Sequence, residues 1–207
     1  MNRELLAMLV HDLKNQLGVL EAELSLLALE PAPEPAHRAH QRCAQLRQRL
    51  VAYLTLYAAP ERHMNAHVSD ESPRDFLQQL LRMDSRPDGA PLRLSGEASA
   101  PAFWYFDPRL VLLALEAALH NAWRFARSDV LLDVRVRDGF LVFAVEDDGL
   151  GLDAKDPSAR SSTGLGMELC AAVARAHNLG ERHGHVLLQP RDPLQRHSGT
   201  RFEIWLP

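Results

Sequence analysis

Between Asn2 and Glu30 the apolar residues Leu6, Val10, Leu13, Leu17, Leu20, Leu24 and Leu27 recur at spacings that alternate four and three. That is a heptad seam, and it commits the segment to a helix with one narrow apolar stripe. The turn PAPEP (31–35) interrupts it, because proline lacks the amide donor and clashes with the turn before it. A second seam follows, Ala39, Cys43, Leu46, Leu50, Tyr53 and Tyr57, on a helix expected from about Ala36 to Ala59. Two helices of similar length joined by a short turn fold back as an antiparallel hairpin. One hairpin leaves part of its stripe uncovered. Two copies are therefore expected to pair through residues 1–60 into a homodimeric four-helix bundle.

The pattern changes after the polar, punctuated stretch APERHMNAHVSDESP, within which residues 61–72 read as a linker. SPRDFLQQLLRM opens with a Ser-Pro helix start, and PLRLS and AFWYF read as short strands. A long helix is expected from about Asp107 to Ala126. VLLDVRVRDGFLVFAVED is two strands around Asp138-Gly139, a hairpin signal. A helix follows Gly164, and HVLLQP and TRFEIWL close the chain as strands. Residues 73–207 thus form a second domain, and the chain is α+β: a helical hairpin followed by an α/β sandwich with a mixed sheet.

A chain of 207 residues has room for these two domains. Its net charge of −4 gives no concentrated basic surface, so nucleic acid is not an expected partner. Cys43 and Cys170 lie far apart in apolar helical patterns and read as buried thiols in a reducing compartment. No signal peptide and no membrane span is legible, and the expected location is cytoplasmic.

In HDLKNQLG (11–18), His11 falls immediately beside the first seam, facing solvent, with Asp12 adjacent and Asn15 one turn on, on the same exposed face. A neutral imidazole is a good nucleophile, and a neighbouring carboxylate can fix its tautomer or take its proton. In the second domain EDDGLG (146–151) holds D-x-G-x-G directly after a strand. A carboxylate there can accept from an exocyclic amine while glycines admit a flat ring. STGLGMELCAAVARAH (162–177) is a glycine turn opening a helix, a place for phosphate oxygens. LEAALHNAWRFA (115–126) carries Glu116, Asn121 and Arg124 on one helix. Asn121 offers an amide oxygen to Mg²⁺, and Arg124 a fork to phosphate. His63 with His67, and His183 with His185, have spacings that zinc could use. They read as solvated polar residues, and FWYF (103–106) reads as strand core.

In order and spacing these pieces resemble a bacterial two-component sensor histidine kinase. HDLKNQL is similar to the phosphoacceptor box, LEAALHNAWRF to the N box, DDGLG and STGLGM to the two glycine boxes, and GTRFEIWLP to the closing strand of the ATP-binding domain. The resemblance implies that His11 accepts the γ-phosphoryl group of ATP, with Asp12 as base or orienter. It implies that Asn15 positions water for removing phosphate from the partner. It further implies that Asn121 coordinates Mg²⁺ and that Asp147 holds the adenine amine. Arg124, Gly149, Gly151, Thr163, Gly164, Leu165 and Gly166 would shape the nucleotide pocket and lid hinge. The implied partner is the receiver domain of a response regulator. Only ten residues precede His11, so input is expected from a separate sensor protein.

The chain departs from that pattern in places. Ala117 stands where the family usually has an asparagine one turn before Asn121. Glu116 beside it is a candidate for the water or Mg²⁺ shell, though i and i+5 do not share a helix face. Gln16 replaces a usual proline, Ser162 replaces the first glycine of the second box, and LDAKDPSAR makes a short lid. Two other readings compete. One is a histidine phosphotransferase or phosphatase whose degenerate ATP-binding domain serves for docking. The other is a non-catalytic partner that pairs through the heptads.

Overall fold

The structure is a computed structural model that describes residues 3–57, 64–83, 90–95, 99–152, 165–192 and 195–207. Some side chains within these helices and strands, including those of residues 3–10 and Asp12, lie outside the description. The chain divides into two compact units, Met1–Arg62 and His63–Pro207.

The first unit is a helical hairpin, α1 (Arg3–Leu29) and α2 (Pro33–Tyr57). Glu23 and Arg42 pair at 3.0 Å across it, as an antiparallel arrangement around the turn requires. The turn is tighter than the proline run implied. α2 already begins at Pro33, because a proline in a first turn gives up only an amide that the helix leaves unpaired. Of the seam residues, Leu20 is 5% and Ala39 2% exposed, whereas Leu17, Leu24 and Leu50 remain between 44% and 49% exposed in the single chain. Cys43, expected inside, is exposed, because a heptad position is buried only where a partner helix covers it. Among the described residues no helix is long and apolar enough to cross a membrane.

The second unit is a five-stranded sheet of order β2-β4-β5-β9-β8 with helices packed on one face. Its strands are β2 (Leu92–Ser95), β4 (Val130–Arg137), β5 (Phe140–Asp147), β8 (His185–Asp192) and β9 (Gln195–Leu206). Only the β2–β4 pairing is parallel, so the sheet is mixed as expected. Asp138 and Gly139 both take positive φ, 51° and 73°, at the β4–β5 turn, the pair of angles a two-residue hairpin needs. The helices are α3 (Pro73–Met83), α4 (Pro108–Phe125) and α5 (Leu165–Ala176). Between helices and sheet, Phe76, Phe106 and Phe143 meet edge to face at centroid distances of 5.3, 5.6 and 5.7 Å. Two small pairings were not foreseen. β1 (Ser69–Glu71), inside the stretch read as linker, pairs with β3 (Trp104–Phe106), and β6 (Asn178–Leu179) pairs with β7 (Arg182–His183).

The other face of the sheet is polar yet covered. Cross-strand register places Asp133, Arg135, Glu146, Arg201 and Glu203 on it together. Arg201 bonds Glu203 at 2.6 Å and also pairs with Glu146, while Arg135 reaches Glu203 at 3.0 Å. Burial opposes ionisation of Glu203, but the bond from Arg201 and the nearby positive charge outweigh it and hold the carboxyl below its usual range. The arginine stems lie over β5, in keeping with the burial of Val142 and Ala144 on the face away from α3, α4 and α5.

Asp107 starts α4 as its N-cap, accepting from the amides of Arg109 at 3.0 Å and Leu110 at 3.3 Å. It is tied to the end of α5, because the Asp107 amide donates to Nε2 of the buried His177 at 3.0 Å. Nδ1 of His177 then donates to the Val173 carbonyl at 2.8 Å. An amide can only donate, so the ring is neutral with its proton on Nδ1. Burial lowers the His177 pKa from 6.5. The unfolded chain therefore takes up this proton first, so this part of the stability is complete above 6.5 and is lost as pH falls through the folded value. The urea midpoint is expected to fall between about pH 7 and about pH 5. His177→Gln should be less stable at neutral pH and show a flatter fall. An equally steep fall in that variant would place the sensitivity elsewhere.

Candidate functional site

Two sets of candidate residues lie in different units. On α1 both His11 and Asn15 are exposed, and the Asn15 amide nitrogen lies 3.1 Å from His11 Nδ1. One helical turn thus puts a solvent-facing imidazole and a carboxamide in contact. The Asp12 side chain lies outside the described residues.

In the second unit the site is built where β5 ends under the last turn of α4. Asp147 is the last residue of β5, on the face that the helices cover, and it is 3% exposed. Its Oδ1 accepts from the Gly149 amide at 2.8 Å and the Thr200 amide at 3.3 Å. Burial pushes its pKa above the usual carboxylate value, with those bonds opposing the rise. Two glycines make room around it. A Cβ on Gly149 would strike the Phe125 carbonyl of α4, and one on Gly199 would strike the carbonyl of Asp147 itself. Gly151 and Gly199 also hold φ of 87° and 100°, angles that L side chains rarely adopt.

Asp148 does different work. It accepts from the amide of Arg127 at 2.7 Å, the amide of Ser128 at 3.0 Å and the Ser128 hydroxyl. Its slight burial is outweighed by these donors, Ser128 first, and its pKa falls to about 2. The carboxylate thereby pins the end of α4 to the end of β5, which fixes how Asn121 and Arg124 stand relative to Asp147.

Asn121 is exposed on α4 and Arg124 half-buried four residues before the segment Asp148 holds in place at Ser128. Gly166 lies at the start of α5, where an added Cβ would come 3.9 Å from Cβ of the buried Ala117, so the second glycine segment enters beside the middle of α4. Leu165 is buried, whereas Thr163 and Gly164 lie outside the described residues, as do Ser162 and most of the short lid. Glu116 is half-buried and, five residues from Asn121, on a different face of α4. Asp147, Gly149 and the end of α4 are therefore brought together, and Glu116 is not joined to Asn121.

Two neighbours of Asp147 were missed in the sequence. Thr200 and Gly199 come from β9, and the signal for them was a glycine inside an otherwise regular strand, which often marks a close backbone approach. The buried carboxylate, set among backbone donors and unobstructed by side chains at two glycines, fits the exocyclic amine and flat ring of a purine. Asn121 has the donor chemistry for one place on a hydrated Mg²⁺, whose remaining ligands would be water and phosphate.

Residues 106–207 match the family described as Histidine kinase-, DNA gyrase B-, and HSP90-like ATPase. No curated protein matches the sequence. Among solved structures, the chain is similar to the Acinetobacter baumannii histidine kinase AdeS, at 18% identity and TM-score 0.63, over 95% of this chain and 96% of that one. It is similar to the cytoplasmic segment of histidine kinase QseC, at 18% identity and TM-score 0.52, over 79% of this chain and 93% of that one. The mycobacterial sensor histidine kinase MprB follows at 21% identity and TM-score 0.50, over 67% of this chain and 97% of that one. Residues 106–207 thus match the histidine kinase-, DNA gyrase B- and HSP90-like ATPases, and the fold of the chain is that of the sensor histidine kinases.

Proposed function

We propose that the chain is an ATP-dependent protein histidine kinase that phosphorylates His11 and passes the group to an aspartate on a response-regulator receiver domain. One observation carries the reading: an ATPase domain of this family stands in the same chain as a hairpin bearing a solvent-facing histidine beside its apolar stripe. Asp147 holds the adenine amine, Gly149 and Gly151 admit the ring, and Gly164 with Gly166 hinges the lid. Arg124, Thr163 and Leu165 complete the nucleotide pocket, and Asn121 holds Mg²⁺, which neutralises charge on the phosphates when bound. Asp12 orients the imidazole or takes its proton. Asn15 positions water when the chain removes phosphate from its partner. The half-exposed Leu17, Leu24 and Leu50 supply the face through which two hairpins pair.

Little acid–base chemistry is asked of the protein, since phosphoryl transfer rests on positioning and charge neutralisation. The test is incubation of the purified chain with Mg²⁺ and γ-labelled ATP beside His11→Ala. Acid-labile, alkali-stable label on the wild type and none on the variant is the expected result. No label on a folded, dimeric wild type would overturn the reading in favour of a phosphotransferase or phosphatase, towards which the buried Ala117 on α4 points.

A further inference from the structure

The contact between Asn15 and His11 has a consequence for which atom of the ring can react. The Asn15 amide nitrogen lies 3.1 Å from Nδ1. A carboxamide nitrogen can only donate, so Nδ1 must accept, and in a neutral ring the proton then sits on Nε2. In that tautomer neither nitrogen offers a free lone pair: one is engaged by the amide and the other is protonated. If the carboxamide turns over, its oxygen accepts from an Nδ1–H and the lone pair of Nε2 is exposed. Both groups stand on the exposed face of α1, where the carboxamide is open to solvent.

We infer that Asn15 is a positioning residue that sets the tautomer of His11, masking the imidazole at rest and unmasking Nε2 when its amide turns over. The inference rests on the reading of His11 as phosphoacceptor. In the transfer step the Nε2 lone pair forms the N–P bond as the bond from phosphorus to the bridging oxygen of ADP breaks. The ring becomes cationic, and its Nδ1 proton, held on the amide oxygen, leaves to Asp12 as base or to water. One amide then has two uses that exclude each other at any instant, holding the ring or presenting water, so kinase and phosphatase states compete for it.

A comparable pair elsewhere in the hairpin behaves differently. The Gln41 amide nitrogen lies 2.7 Å from Nε2 of His37, one turn apart on α2. That pair shows that the spacing alone brings the groups together, and that the longer side chain reaches the other ring nitrogen. It also supplies an internal control.

The test is nitrogen NMR of the full-length chain with labelled histidine, in alkaline buffer where an imidazole is neutral. His11→Ala assigns the signals. Wild type should show His11 with a proton-free Nδ1. Asn15→Asp, which can only accept, should move the proton to Nδ1, and the His37 signals should stay in place. Asn15→Leu, which can do neither, should lie between them and take label from ATP about three- to tenfold more slowly than Asn15→Asp, the worth of one ordinary hydrogen bond. A proton on Nδ1 in wild type, or the same tautomer in wild type and Asn15→Asp, would overturn the inference even if the chain is an active kinase. The expected tautomer change in a chain that takes no label would support it while removing the kinase reading.

Discussion

Gly199→Ala is expected to destabilise the second unit by about 3 kcal/mol and to abolish nucleotide binding with it. Two effects add there. The φ of 100° is one an alanine adopts only with strain, and its methyl group would lie inside the carbonyl oxygen of Asp147. A flexible side chain could swing away, but this obstacle is backbone at the end of a central strand. Relief must therefore move β5 or β9, and either movement draws the Thr200 amide off Asp147. Gly180 separates the two contributions. It also has positive φ, 62°, at the β6–β7 turn, but nothing lies within 4 Å of where its Cβ would be. Gly180→Ala should cost about 1 kcal/mol, the backbone strain alone, and leave nucleotide binding intact. Urea unfolding of both variants with titration of an adenine nucleotide decides it. Equal losses in the two would mean that close packing of β9 on Asp147 contributes nothing.

That comparison also marks where the sequence was legible. Signals that act within a few residues were readable: the helix of α1, the Asp138-Gly139 turn, and the Asp147-x-Gly149 step that leaves β5. Each is a local constraint on backbone or on one helix face, and each stands where the pattern put it. What escaped depends on contacts between distant segments. Thr200 meets Asp147 from 53 residues away, and β1 forms only because β3 lies beside it. The proline turn was misjudged for a different reason. Pro33 and Pro35 break a helix that reaches them but not one that starts there, and composition does not say which side of the turn claims them. Cys43 was misjudged because a heptad position is buried only where a partner helix covers it. In the same way the adjacent aspartates 147 and 148 look alike in sequence, and only their donors separate them.

The difference between those two aspartates leads to the second large effect. Asp147→Asn should make the nucleotide-free protein more stable while weakening adenine nucleotide binding about ten- to a hundredfold. Burial raises the folded pKa of Asp147, so its contribution to stability is present below the ordinary value of 3.8 and is lost as pH rises through the folded value. At neutral pH the charge is held against that penalty. An asparagine keeps an oxygen for the Gly149 and Thr200 amides and removes the charge, but turns a donor toward a purine amine that itself donates. Asp148→Asn should do the reverse. With a pKa of about 2, Asp148 contributes stability that is complete above 3.8 and disappears only as pH falls through about 2, so neutralising it loosens the Arg127–Ser128 turn. Urea midpoints at neutral pH should therefore move in opposite directions for two neighbouring, chemically identical substitutions. If both fall, the Asp147 carboxylate is a structural anchor and not a charge kept in place for a ligand. A buried carboxylate at the C-terminal end of α4 that lowers the stability of the empty protein is what a nucleotide site predicts, since the ligand's amine supplies the partner that the fold withholds.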